Sequence, residues 1–363
     1  MRQSVLGLVR SGLWVSVVLV AVWQATAAPP QTKKTVGPAS NKPFIHTNVK
    51  KWVKRFERPG RDVYDKRHEI VRACGVKPGM VVADVGAGTG LFTILFAQAV
   101  GPTGLVYAVD VSKDFIDFIL KRAEQQGLKN VKGIVNNEQS TLLPEKAVDL
   151  AFICDTYHHF THPYWTVYSI RRALKKNGRL VLIDFDIKKD ARTGSWLSKH
   201  VRAGREVFQR EIETVGFRLV AEKKILDKQY FLIFEKSKAT PADRFYTQKS
   251  LPEIKKELKE GRAVLFDVRE PSEWQTGHLA AARLLPLSKL ETLVFGANPK
   301  QKLTALLPKD KVVYCHCRSG GRARMAAAIF RTLGFNSVWA LRAGYKQLVA
   351  AGFESVATSK HKK

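Results

Sequence analysis

MVVADVGAGTGLFTILFAQAV, residues 80–100, is the stretch whose reading decides the fold of the middle of the chain. Met80–Val85 is a short, Val-rich apolar run of the kind that makes a buried parallel strand. Leu91–Val100 has the composition of a helix. Between them Gly86, Gly88 and Gly90 form G-x-G-x-G just after Asp84. Glycines at such a turn remove the Cβ atoms that would keep a ligand off the backbone, and the helix start offers unpaired N–H groups. A nucleotide-like ligand fits that description.

A glycine-rich turn alone is weak evidence, because many strand-to-helix turns look like it. The next strand strengthens it. LVYAVDVS ends with Asp110, roughly twenty residues past the turn, where a carboxylate can accept both hydroxyls of a ribose. A dinucleotide fold favours G-x-G-x-x-G. D-V-G-A-G-T-G followed by V-D resembles instead the class I S-adenosylmethionine-dependent methyltransferases, and the resemblance runs from about Trp52 to Lys236. It implies a Rossmann-like, doubly wound α/β sheet. It also implies S-adenosyl-L-methionine as cofactor, held by Asp84, Gly86, Gly88, Gly90 and Asp110. In that family a polar residue after the third strand meets the adenine, and IVNNEQSTLLPEKAVDLAFI puts Glu138 or Gln139 there. CDTYHHF, residues 154–160, brings Asp155 and Tyr157 beside the methyl-donor pocket, and RRALKKNGRLVLIDF supplies a helix, a Gly turn and a fifth strand.

The methyl acceptor is less legible. Methyl transfer is a displacement at carbon, so aligning donor and acceptor does much of the work, and a base is needed only when the acceptor must lose a proton. His158, His159 and His200 are the base candidates, with His158 foremost; a packed or solvent-facing histidine is the plainer reading of each. Cys154, His158, His159 and His162 invite a metal reading, but adjacent histidines in an apolar run are expected to point apart, so no metal is expected. Residues 52–76, WVKRFERPGRDVYDKRHEIVRACGV, read as a polar surface helix broken at Pro59 and Gly60. As a lid, this segment would close the pocket with Arg61 and Tyr64.

FEKSKATPADRF, residues 234–245, ends the last strand of this part, and a new amphipathic pattern starts at Leu251. AVLFDVRE is a buried strand ending in Asp267 and Arg269, GHLAAARLLPL carries Gly277 and His278, and KVVYCHC delivers Cys317 to the turn Cys-Arg-Ser-Gly-Gly-Arg that opens a helix. A helix N-terminus, converging loop N–H groups, Arg318 and Arg322 together make Cys317 a candidate nucleophile. This constellation resembles a single rhodanese domain, covering about residues 247–356. The resemblance implies a smaller α/β fold and sulfur transfer through a persulfide on Cys317. Arg318 and Arg322 would hold an anionic donor or the loop, while Asp267, Arg269 and His278 would be structural. Related phosphatases use a loop one residue longer. Ala343 and Leu348 stand where glycine and tryptophan are common in the family, which bears on donor specificity. Cys315 shares a strand face with Cys317, where a disulfide between the two would be strained, so a buried thiol is expected.

With 61 Lys+Arg against 32 Asp+Glu the 363-residue chain carries +29, but the excess is spread out rather than gathered with aromatics, so nucleic acid is an unlikely partner. The expected partners are a small-molecule methyl acceptor and an anionic sulfur donor. At the start, Arg2 and Arg10 precede LWVSVVLVAVW and then QATAAPP, the order of a secretory signal peptide cleaved after Ala27. Export, to a periplasm, is expected; an uncleaved segment would anchor the chain to a membrane instead. The organisation read from sequence is a signal peptide at 1–27, a linker at 28–50, a methyltransferase-like domain at 51–236, a linker at 237–246, a rhodanese domain at 247–357 and a basic tail at 358–363. The functional expectation is a bifunctional exported protein, with a sulfur-carrying or sensing protein on a non-catalytic methyltransferase scaffold as the alternative.

Overall fold

Val81–Val85 (β1) buries Val82, Ala83 and Val85 on both faces, as a strand covered by helices on each side must. The computed structural model describes residues 47–188, 197, 200–237, 245–295, 299–308 and 310–356. The expected signal peptide, most of the 28–50 linker, most of the 237–246 linker and the basic tail lie outside the described residues. Beside β1 run β2 (Leu105–Asp110), β3 (Val131–Val135), β4 (Val148–Cys154), β5 (Leu174–Phe185), β6 (Phe217–Lys223) and β7 (Gln229–Lys236). Their order is β3-β2-β1-β4-β5-β7-β6, parallel except for β7, which runs antiparallel to both neighbours. The Gly turn expected at Gly178 lies inside β5 instead. Strand-like pairing begins at once after the helix Pro163–Ala173, with Lys146 and Ala147 N–H donating to Arg172 and Ala173 carbonyls. Gly178 is then wanted for close approach, because a Cβ there would lie 3.0 Å from the Val148 carbonyl oxygen.

The helix Leu91–Val100 is buried along most of its length, and Lys113–Gln125 starts on Ser112, whose Oγ accepts from Phe115 N. Together they cover β1 and β2, so the glycine turn is fixed by core packing on both sides.

The second part is smaller, with strands β8 (Ala263–Asp267), β9 (His278–Leu279), β10 (Ala282–Leu284), β11 (Val312–His316), β12 (Val338–Ala340) and β13 (Ser355–Val356) in two sheets. Four of them form a parallel sheet ordered β10-β8-β11-β12, and β9 pairs with β13. Its helix Leu251–Lys259 begins with a capping box in which Ser250 N–H donates to Glu253 Oε2 at 2.7 Å.

The two parts are not beads on a string. One apolar cluster runs from Tyr157, Val167 and Phe208 into Ala327 and Phe330 of the second sheet's layer. Arg324 Nη2 donates to the Val215 carbonyl at 2.7 Å. Glu291, wholly buried on the helix Leu287–Phe295, accepts from Trp165 N–H at 3.1 Å and lies 3.2 Å from His162 Nδ1. Desolvation pushes Glu291 up to about 7, against the pull of His162, and the Glu291 hydrogen bond raises His162 in turn. Both shifts run upward, so near neutrality the folded pair holds more protons than the unfolded chain does. Its contribution is complete at low pH and is lost as pH rises through about 7. The urea midpoint should therefore fall between about pH 6 and about pH 8, and Glu291→Gln should flatten that fall. Equal slopes in the two proteins would assign the pH dependence elsewhere.

Candidate functional site

In a doubly wound sheet the ligand crevice opens beyond the strand ends where the strand order reverses. Here that point is β1, flanked by β2 and β4. Gly88, at φ 55°, donates its N–H to Asp110 Oδ2 at 2.9 Å, and the other Asp110 oxygen accepts from Ser112 N–H at 2.9 Å. The turn also meets the loop after β4: Thr156 Oγ1 donates to the Gly86 carbonyl at 3.3 Å, and a Cβ on Gly86 would fall 2.1 Å from Thr156 Cγ2. Burial lifts Asp110 to about 6, so a donor such as a ribose hydroxyl would favour its ionised form. Asp84 plays a different part. It is buried, accepts from Thr93 Oγ1 at 2.6 Å and is raised by burial to about 7, so it fastens the first turn of the helix rather than facing the crevice.

Over the glycines lies the helix Val49–Phe56. A Cβ on Gly88 would meet only the edge of Phe56, at 3.8 Å, so the turn is open above its backbone and the residues present fit the S-adenosylmethionine expected there. Trp52 packs at a tilt against Phe56 with ring centroids 5.1 Å apart, and Glu57 takes a two-point ion pair from Arg122 at 2.6 and 2.9 Å. Arg122 also reaches the Thr89 carbonyl at 3.2 Å, tying this cover to the turn. Arg61 does close the site: its Nη2 pairs with Asp155 Oδ2 at 2.7 Å, and Nη1 donates to the Phe56 carbonyl. Tyr64 does not. It lies under the Arg67 guanidinium, 4.4 Å away, and packs into the core below. Phe56, Glu57 and Arg122 carried no sequence signal, since the pair that holds the cover is 65 residues apart in the chain.

Asp155 sits at φ 49°, an uncommon backbone state for a residue with a side chain, and burial raises its carboxyl despite Arg61. Tyr157, expected by the pocket, is instead fully buried among Phe160, Phe208 and Arg202. Glu138 does lie in the loop after β3, half-buried, with its carbonyl accepting from Thr166 Oγ1 at 3.2 Å. The adjacent histidines do not point apart. Tyr157–His159 is a 3-10 turn, in which successive side chains step by about 120° rather than alternating as on a strand. His158 and His159 rings consequently lie 4.3 Å apart between centroids, with His200 at 5.0 and 4.9 Å. Cys154 and His162 are not part of this group; His162 belongs to the junction with Glu291.

In the second part, β8 and β11 are the neighbours at which the strand order reverses, and Cys317 follows β11 directly. Cys317 is 1% exposed, and its carbonyl accepts from Tyr345 N–H at 2.9 Å. Gly320, at φ 81°, is the N-cap of the helix Gly321–Thr332. Arg322 forms a two-point pair with Glu273, one arm at 2.7 Å, and lies over the Trp165 ring at 5.5 Å. Arg318 is exposed at the mouth of the loop. Asp267 and Arg269 pair with each other at 2.6 Å, Arg269 holds the Gly277 carbonyl at 2.8 Å, and His278 stacks on Trp274 at 3.7 Å. Arg269 also lies 4.3 Å from the ring of Tyr345, the residue that holds the Cys317 carbonyl. Cys315 is buried and its thiol is pushed up by desolvation. Sequence reasoning missed the wall of this site, because it comes from the other part of the chain: a Cβ on Gly321 would lie 2.9 Å from Tyr168 Oη.

The seven-stranded sheet with one reversed strand thus carries an acid-backed glycine turn at its switch point, and the smaller parallel sheet carries a six-residue cysteine loop at its own. The first part carries a methyltransferase domain and the second a rhodanese-like domain. Residues 76–235 match the family described as methyltransferase domain, and residues 250–351 match the rhodanese-like domain. The chain is 32% identical over 121 residues to the ubiquinone/menaquinone biosynthesis C-methyltransferase UbiE of Hydrogenovibrio crunogenus, covering 33% of this chain and 47% of that protein. It is 26% identical over 145 residues to a demethylmenaquinone methyltransferase of Geobacillus, covering 39% and 62%. The chain thus spans about half the length of the curated relatives it matches. A solved SAM-dependent methyltransferase from Aquifex aeolicus aligns over 52% of this chain and 98% of its own, at 25% identity and a TM-score of 0.47.

Proposed function

We propose that this chain is an exported, bifunctional enzyme that moves sulfur through a persulfide on Cys317 and methylates a small acceptor, with a sulfur species as the acceptor the two domains share. One observation carries this reading. The segment Tyr157–Tyr168 follows directly on Asp155 and Thr156, which meet the cover and the glycine turn, forms a 3-10 turn and then, as the helix Pro163–Ala173, puts Trp165 and Tyr168 against the cysteine loop. Twelve residues link the two chemistries through rigid structure.

S-adenosylmethionine, when bound, supplies an electrophilic methyl group on a sulfonium. The chain's residues do the rest by holding. The glycine turn and Asp110 seat the donor, and the Arg61–Asp155 pair and Phe56 exclude water above it. On the sulfur side, Cys317 takes the outer sulfur of a donor such as thiosulfate and releases sulfite, and Arg318 and Arg322 draw in the anion. The persulfide sulfur then passes to a small thiolate. In this reading the export signal at 1–27 places both activities in the periplasm, and an uncleaved signal would hold them at the membrane.

Thiosulfate, a small thiol and methyl-labelled S-adenosylmethionine supplied together should yield a labelled S-methyl product. The intact chain should make several times more of it than an equimolar mixture of Gly88→Arg and Cys317→Ser chains, because only the intact chain carries both sites on one molecule. Equal yields, or none, would sink the shared-substrate reading.

A further inference from the structure

We infer that His158, His159 and His200 bind a divalent transition-metal ion at the acceptor edge of the methyltransferase crevice. Each of the three offers a ring nitrogen, and these atoms lie within 4.8 Å of one another. Tetrahedral zinc with imidazole ligands wants nitrogens about 3.4 Å apart, given metal–nitrogen bonds of about 2.0–2.1 Å. Small ring rotations close that gap.

The arrangement behind the rings is that of a metal site rather than of a packed histidine. His158, 1% exposed, has its Nδ1 2.8 Å from Asp184 Oδ1, so Nδ1 donates to the carboxylate and Nε2 is the ring nitrogen left to face a metal. Asp184 on β5 is itself wholly buried and doubly anchored, taking His158 N–H at 3.1 Å and Phe185 N–H at 2.8 Å. A carboxylate that fixes the tautomer and ring plane of a histidine is the usual support behind a metal ligand. His158 is buried while His159 and His200 are half-buried, so among the described residues the trio is more enclosed at His158 than at the other two rings. Three protein ligands and an open fourth position describe a metal site that meets a substrate or water rather than a purely structural one.

An all-imidazole trio selects zinc, cobalt, nickel or copper over the hard, oxygen-seeking magnesium. The site follows Asp155 by three residues, and its Asp184 support lies on the strand beside β4. A metal there would present the oxygen or sulfur of an acceptor to the methyl donor. That role rests on the proposed methyl transfer; the binding itself does not.

The test uses the full chain, stripped with a chelator, and the metal alone. Zinc titrated against a chromophoric competitor should bind one per chain with a Kd below about 1 μM, cobalt should give the visible absorption of a low-coordinate nitrogen site, and magnesium should not compete. His200→Gln, at a half-buried position, should weaken zinc on the order of a hundredfold, and Asp184→Asn on the order of tenfold. His162→Gln should leave the affinity unchanged. Circular dichroism and S-adenosylmethionine binding, read on the same proteins, show that the fold and the neighbouring crevice survive. Zinc held equally by native and His200→Gln chains, or no one-to-one binding in the native chain, overturns the inference. Zinc bound by a chain that fails to bind S-adenosylmethionine would uphold the metal site and overturn the proposed methyl transfer instead.

Discussion

The Gly88→Arg chain should give no calorimetric signal with S-adenosylmethionine, where the natural sequence, from Ala28 onward, saturates at one per chain. Two physical effects add. Gly88 sits at φ 55°, where any side chain costs about 1–2 kcal/mol. The larger effect is occupancy. Only the edge of Phe56 approaches the point where a Cβ would stand, so a guanidinium chain would fill the volume over the turn that the ligand needs. It would also set a second cation beside Arg122, which already reaches the Thr89 carbonyl in the same turn. The turn's outer surface is open, so the substitution should leave the circular dichroism spectrum and the sulfur activity in place, and loss of binding can be read as loss of the site. Retention of binding within about threefold, less than 1 kcal/mol, would mean that the ligand is not held at this turn.

What could be read from sequence was what local chemistry dictates. The run at 81–85, the helix 91–100 and Asp110 at the end of β2 follow from apolar patterning and glycine spacing, and they stand where those signals put them. The cysteine loop was legible for the same reason: strand, Cys317, two glycines and helix are consecutive. What was not legible depends on pairs far apart in the chain. Arg61 with Asp155, Arg122 with Glu57, and Glu291 with His162 are separated by 94, 65 and 129 residues, and no periodicity reports such partners. The histidines failed differently. Reading HH as part of an extended run sent the two rings to opposite faces. The chain instead turns at Thr156, and the two rings come together. The backbone state, not the residue types, decided the chemistry available there.

Cys317→Ser should abolish transfer of sulfur from thiosulfate to cyanide, a loss on the order of a thousandfold or more, since an oxygen neither attacks sulfane sulfur well at neutral pH nor stores it as a persulfide. The change replaces one buried atom in a loop held by Tyr345, by the Arg269–Asp267 pair and by the helix that Gly320 caps, so the fold should be unchanged. Cys315→Ala is the informative companion. Cys315 lies two residues back on β11, buried beneath the loop, and its raised thiol makes it a packing group rather than a second nucleophile. That variant should keep activity within about twofold once its lower stability, about 1 kcal/mol for the lost sulfur contacts, is allowed for. If it lost as much as Cys317→Ser, the pair would be acting as a dithiol and the single-cysteine persulfide would be wrong. The same assay reads the domain junction. Tyr168 lies against Gly321 and Trp165 against Arg322, so the methyltransferase domain touches the helix start that closes the cysteine loop. If sulfur transfer depends on that contact, Tyr168→Ala should lower the thiosulfate-to-cyanide rate while leaving the circular dichroism spectrum in place, and an unchanged rate would confine the reaction to residues 250–351.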